Sequence, residues 1–215
     1  MKGLIIYDYL SVFKKLLNKS ILISVSFSLF LGIFILQEPL ATLLINGYML
    51  SLISYIPMAF FENNTESGSF LRTLTFPLSI KQIVLSRYFT ALLYLGIYSL
   101  LFGIGIVGAI IVNGSFKVYF YPYIISIFVG ILILSLGLIG NFSNKTQVIN
   151  LYIVLAFVFI LYLFLSNFQV KNILLSLKDL PNYSYILGGI ITYFSILIGS
   201  YLISTKLLNH KLKHK

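Results

Sequence analysis

The chain contains no cysteine, and it carries very little charge for its 215 residues. Without cysteine there are no disulfides, no thiol chemistry and no cysteine-based metal site. Charged residues make up 9% of the sequence, whereas a soluble domain carries about 25%, so the chain cannot clothe a water-facing surface. The five acidic residues, Asp8, Glu38, Glu62, Glu66 and Asp179, fall at the ends of apolar runs or between them. No lysine or arginine lies near the centre of such a run. A proton- or sodium-driven carrier needs ionisable groups at membrane depth, and that class is disfavoured. There is no GxxxxGK[ST] phosphate loop, so the chain does not hydrolyse ATP by itself. HExxH and paired intramembrane carboxylates are missing as well. The chain therefore reads as non-catalytic, holding no cofactor and no metal of its own, with any energy supplied by a partner.

What is present is apolar. Hydrophobic residues make up 59% of the sequence and the mean hydropathy is +1.01. A bilayer-spanning helix needs about 20 such residues. Six runs qualify, approximately Ile21–Leu36, Leu40–Phe61, Ile83–Val112, Pro122–Gly140, Val148–Ser166 and Tyr183–Thr205. The expected fold is an all-α integral membrane protein, residues 1–215 forming one transmembrane domain of six helices. The third run is long enough to begin outside lipid. Ser79-Ile80-Lys81-Gln82 before it reads as a capping box, and Pro77 marks a break between two helices.

Charge sets the orientation. With the N-terminus inside, twelve basic residues lie in cytoplasmic segments, against Lys117, Lys171 and Lys178 outside. That bias predicts a multi-pass protein of the bacterial plasma membrane with both termini cytoplasmic. The net charge of +10 then serves topology and attraction to anionic lipid headgroups and gives no nucleic-acid site. Residues 1–19 place Asp8, Ser11, Lys15 and Asn18 on one helical side, with Ile5, Tyr9, Val12, Phe13 and Leu16 on the other. That pattern predicts an interfacial helix along the inner leaflet.

Within the spans the polar residues are mostly small. Ser20, Ser24, Ser28 and Gly32 repeat along the first run, a ridge suited to close helix packing or, alternatively, to lining a path. Gly103, Gly105 and Gly108 in the third run and Gly188, Gly189 and Gly199 in the sixth predict close packing. Asn150 and Tyr152 at the inner start of the fifth run need protein or a wet cavity around them. Tyr119, Tyr121, Tyr123, Tyr183 and Tyr185 suit the outer interface. The tail pair His210 and His214 reads as a headgroup-binding end. Residues 166–182 carry Ile173, Leu174, Leu177 and Leu180 at helical spacing, predicting a short amphipathic helix at the outer face.

The longest polar interruption runs from Glu62 to Gln82. Phe70, Leu71 and Leu74 give it a small apolar face on a short helix. Gly68-Ser-Phe-Leu-Arg-Thr-Leu-Thr-Phe-Pro-Leu-Ser-Ile-Lys-Gln-Ile-Val-Leu-Ser-Arg-Tyr88 is similar to a passage in the permease subunits of ABC-2 type exporters. The topology fits as well, and Phe76 stands where the family often has leucine. The small size and the lack of an ectodomain resemble Gram-positive peptide exporters of the phenol-soluble modulin exporter type. The resemblance implies a separate ABC ATPase subunit carrying ATP and magnesium, a second permease copy or a homologous permease, and amphipathic peptide cargo. It also implies a cytoplasmic coupling helix at 62–82, gripped by the ATPase at Glu62, Glu66, Phe70, Leu71, Arg72 and Leu74, with Pro77 separating it from the third span. Two other readings stand beside export: a peptide-immunity subunit that sequesters cargo, and a lipid-handling protein without ATP coupling.

Overall fold

A computed structural model describes residues 2–36, 38–67, 78–114, 116–143 and 183–213. Among them the chain is entirely helical. Helix α1 spans Lys2–Leu16, α2 spans Lys19–Phe30 and continues into a π-helical turn Leu31–Ile35, and α3 spans Glu38–Ser67. They are followed by α4, Ile80–Asn113, α5, Phe116–Ser143, and α6, Tyr183–Lys213. In lipid a backbone N–H has no water to bind, which leaves helices as the form that satisfies it within one segment.

Four stretches are long and apolar enough to cross a membrane: Leu40–Glu62, Ile80–Asn113, Val118–Phe142 and Ile191–His210. They correspond to the second, third, fourth and sixth predicted runs. The fifth run, with Asn150 and Tyr152, and the outer segment 166–182 lie outside the described residues. So do residues 68–77 of the predicted coupling segment, and His214. The first run is a shorter apolar helix, Lys19–Ile35, about 25 Å long against a hydrocarbon core of about 30 Å. It starts where Asn18 Oδ1 accepts the Ile21 N–H at 2.7 Å. It ends in a wider turn, the Leu36 N–H reaching the Leu31 carbonyl at 3.0 Å.

The predicted capping box is present. Ser79 Oγ accepts the Gln82 N–H at 3.4 Å, and Gln82 Oε1 accepts the Ser79 N–H at 3.0 Å. At the far end α4 stops at Gly114, whose φ of 71° lies in the left-handed region that glycine enters at no steric cost. The 34 residues of α4 extend about 51 Å, well beyond the hydrocarbon thickness. Its buried stripe runs Val84, Arg87, Ala91, Tyr94, Tyr98, Phe102, Ile106 and Ala109.

Helix α3 packs most extensively on α5, α5 on α6, and α4 touches α1, α3, α5 and α6. Small residues set these distances, because helices in lipid associate through close packing. A Cβ on Gly32 would stand 2.8 Å from Ile45, one on Gly130 2.8 Å from Ile53, and one on Gly105 2.3 Å from Leu29. Gly199, expected to pack closely, has open space beside it, since Ser200 and Ser204 make the buried side of α6 there. The tyrosines expected at the outer interface also divide. Tyr119 is buried and accepts from Asn113 Nδ2 at 3.0 Å, and the Tyr123 hydroxyl donates to the Ser99 carbonyl at 2.5 Å beside Gly103. These two rings are tied to the bundle by hydrogen bonds.

If Gly105 sets the α2–α4 distance, Gly105→Leu overpacks that contact and lowers stability by about 1–3 kcal/mol. Adding Leu29→Ala to the same chain recovers part of the loss in thermal unfolding of the detergent-solubilised protein. Equal stability of Gly105→Leu and the parent would show that this contact does not hold α2.

Candidate functional site

The predicted site lies around the break between α3 and α4. At this junction end of the bundle, α1 lies against both helices. The periodicity of α1 predicted Asp8, Ser11 and Lys15 on an outward polar side. The structure instead buries the stripe Leu4, Asp8, Val12 and Leu16, and Ile6, Leu10 and Phe13 are exposed. The reason is a counter-charge. Asp8 Oδ1 stands 3.2 Å from Arg87 Nε, and the two side chains are 1% and 2% exposed. Asp8 Oδ2 accepts the Ser86 hydroxyl at 2.7 Å, and the Arg87 guanidinium lies 5.0 Å above the centre of the Phe60 ring. Three helices thus meet at one buried charge pair: α1 through Asp8, α3 through Phe60, and α4 through Ser86 and Arg87.

Burial raises the Asp8 carboxyl above its ordinary value, while Arg87 and the Ser86 hydroxyl pull it back down. Removing one member of such a pair costs about 3–5 kcal/mol, whereas replacing both by apolar groups is often neutral. The pair therefore says more about where α1 must sit than about how stable the fold is.

Two tyrosines of α4 extend the attachment. The Tyr94 hydroxyl donates to the Tyr9 carbonyl at 2.8 Å, and the rings of Tyr9 and Tyr94 stack with centroids 5.0 Å apart. The Tyr98 hydroxyl donates to the Leu16 carbonyl at the end of α1, one of the carbonyls a helix end leaves unpaired. On the other side, Lys15 Nζ meets Glu62 Oε2 at 3.3 Å, and Tyr55 donates to the same oxygen at 3.3 Å. Lys15 and Glu62 are 26% and 28% exposed, where an ion pair is worth about 0–1 kcal/mol.

Of the predicted coupling residues, Glu62 is placed at this junction and paired with Lys15. Glu66 lies in the last turn of α3, its side chain outside the described residues. Phe70, Leu71, Arg72, Leu74 and Pro77 fall in the undescribed 68–77. Away from the junction, Ser24 Oγ lies 2.5 Å from Tyr48 Oη, Ser28 is buried with its hydroxyl on the Val25 carbonyl, and Gly32 is buried against Ile45. Sequence reasoning missed Asp8, Ser86, Arg87, Tyr94 and Tyr98. The signal was available: Asp8 falls on the Leu4–Val12–Leu16 stripe of α1, and Arg87 on the Val84–Ala91–Tyr94 stripe of α4. Opposite charges, each on the apolar stripe of its own helix, point to one another. Among the described residues no group of acidic residues and histidines could hold a metal ion.

The family model described as "ABC-2 family transporter protein" matches residues 3–209. No curated protein and no solved structure matches the chain.

The charge pair can be tested on the purified protein. Arg87→Met alone should lower stability by about 3–5 kcal/mol, and Asp8→Leu with Arg87→Met should recover most of it, read as thermal unfolding in detergent. A double variant no more stable than the single one would show that the two charges are not each other's partner.

Proposed function

The chain belongs to the ABC-2 family of transporter membrane proteins, and from that premise we propose that it is the permease subunit of an ATP-driven exporter of amphipathic peptides. Two copies, or one copy with a homologous permease, form the pathway in the plasma membrane, and both termini face the cytoplasm. The spans number six, the fifth being Val148–Ser166. Two ABC ATPase subunits, holding ATP and magnesium, dock beneath at residues 62–82. Phe70 and Leu71 are the apolar anchors of that docking, with Glu62, Glu66, Arg72 and Leu74 around them and Pro77 dividing the segment from α4.

The observation that carries this reading is the junction end itself. A push on the chain between α3 and α4 acts on two helices that α1 braces through Asp8–Arg87 and Lys15–Glu62. Such an attachment, buried toward α4 and part-exposed toward α3, suits an element that carries the push into α4. The twelve-to-three charge bias supports the orientation.

Peptide cargo is supported by the walls. Several polar groups of the described helices are held against other protein groups, as with Ser24 and Tyr48, Thr42 and the Val118 carbonyl, and Tyr88 and Ser204. The exposed faces of α2 and α4 are Ile23, Phe27, Phe34, Leu100, Ile104 and Ile111. A small, highly charged solute would need fixed countercharges at depth, where a charge costs at least about 2.5–3.5 kcal/mol. A peptide with one apolar side keeps that side in a lipid-like environment throughout.

Reconstituted in nanodiscs with its ATPase, the complex should hydrolyse ATP, and amphipathic helical peptides should raise the rate while sugars do not. Phe70→Asp with Leu71→Asp should lose the ATPase or its stimulation and still insert in the membrane. Stimulation by sugars with indifference to every amphipathic peptide would overturn the cargo. Normal stimulation in the double aspartate variant would overturn the docking segment.

A further inference from the structure

Helix α1 is held on its two sides by contacts of different kinds. On the α4 side the ion pair is fully buried, and Ser86 Oγ, the Tyr94 hydroxyl and the Tyr98 hydroxyl all reach α1 groups. The Tyr9 and Tyr94 rings stack at 14°. Separating these surfaces would strip a buried charge of its partner and leave the helix-end carbonyl of Leu16 unpaired. On the α3 side the ion pair is Lys15–Glu62, a quarter exposed on each partner. Water can replace either partner there with little loss. Arg87 also rests on the Phe60 ring of α3, but a ring face offers no fixed hydrogen-bond geometry and allows lateral slip.

We infer that α1 and α4 move as one body, and that Lys15–Glu62 is the contact that parts when α3 and α4 are displaced relative to each other. The inference rests on the proposed reading, in which an ATPase supplies that displacement. Two features make the contact fit to open and close. Tyr55 Oη holds the Glu62 carboxylate from within α3, so the acceptor stays in position after Lys15 leaves. Lys15 is on the turn of α1 next to Leu16, whose carbonyl Tyr98 grips, so the donor travels with α4.

The cysteine-free chain allows the two seams to be followed by paired spin labels at exposed positions that leave the ion pairs and tyrosine contacts of α1 intact. Leu10→Cys with Leu100→Cys reports α1 against α4, and Leu10→Cys with Ser51→Cys reports α1 against α3. Distances are measured by double electron–electron resonance in the ATPase complex in nanodiscs, without nucleotide and with ATP plus vanadate. The expected result is a shifted α1–α3 distribution and an unchanged α1–α4 distribution. A second measurement links Leu10→Cys to Ser51→Cys with a reducible bifunctional thiol reagent of matching length. Linking should abolish ATP-driven turnover, and reduction should restore it. A shift in the α1–α4 distance, an unchanged α1–α3 distance, or full turnover with α1 linked to α3 overturns the inference. An ATPase that neither associates with nor is stimulated by the parent chain would instead strike the proposed function.

Discussion

A guanidinium taken out of water must keep a negative partner, and Arg87 is only 2% exposed. That requirement decides the position of α1. Left to its apolar periodicity, α1 would lie with Ile5, Tyr9, Val12, Phe13 and Leu16 in lipid and Asp8, Ser11, Lys15 and Asn18 toward the headgroups. Placing Asp8 beside Arg87 instead turns Leu4, Val12 and Leu16 inward with it and leaves Ile6, Leu10 and Phe13 outward. The rotation brings Tyr9 onto Tyr94 and the Leu16 carbonyl onto Tyr98. One electrostatic constraint thus fixes the rotation of a 15-residue helix and the contacts along its length.

The rest of the bundle obeys a different economy. Lipid gives apolar side chains no reason to prefer one another, so association rests on closeness and on polar groups hidden between helices. Gly32, Gly105 and Gly130 provide the closeness, each facing a branched aliphatic side chain where a Cβ would collide. Tyrosines supply the polar links: Tyr94, Tyr98 and Tyr123 donate to carbonyls of a neighbouring helix, and Tyr88 meets Ser204. A helical carbonyl has a second lone pair, so a hydroxyl can bind it without breaking the helix.

Much of the fold was legible, because lipid imposes simple rules on sequence. The start of α4 follows from the Ser79–Gln82 box, whereas α3 runs on past the apolar run that ends at Phe61 and stays helical to Ser67. Small residues marked the contacts at Gly32 and Gly105. The site was less legible, because periodicity locates a stripe but not the element that covers it. Asp8 and Arg87 are far apart in the chain; viewed alone, Asp8 read as part of a polar helix side and Arg87 as one of the cytoplasmic basic residues. Their pairing shows only when both are seen on apolar stripes. The inward turn of Tyr119 and Tyr123 was hidden for a similar reason. Composition assigns tyrosine to the interface, and whether a buried acceptor outbids it depends on a neighbour such as the Ser99 carbonyl.

The two ion pairs of α1 also bear on why so little charge is retained. With a net charge of +10 from 15 basic and five acidic residues, each carboxylate is a scarce resource. Two of the five, Asp8 and Glu62, are committed to α1 at the junction of α3 and α4. Uncompensated basic groups can be satisfied by anionic headgroups at the membrane surface, whereas Arg87 is buried beyond their reach and needs an acid from the chain itself. Placing that acid on α1 rather than on α3 or α4 makes a separate helix the counter-ion. The charge on α4 can then be neutral to its surroundings only while α1 accompanies it. Parting α1 from α4 would therefore leave a bare charge on each helix.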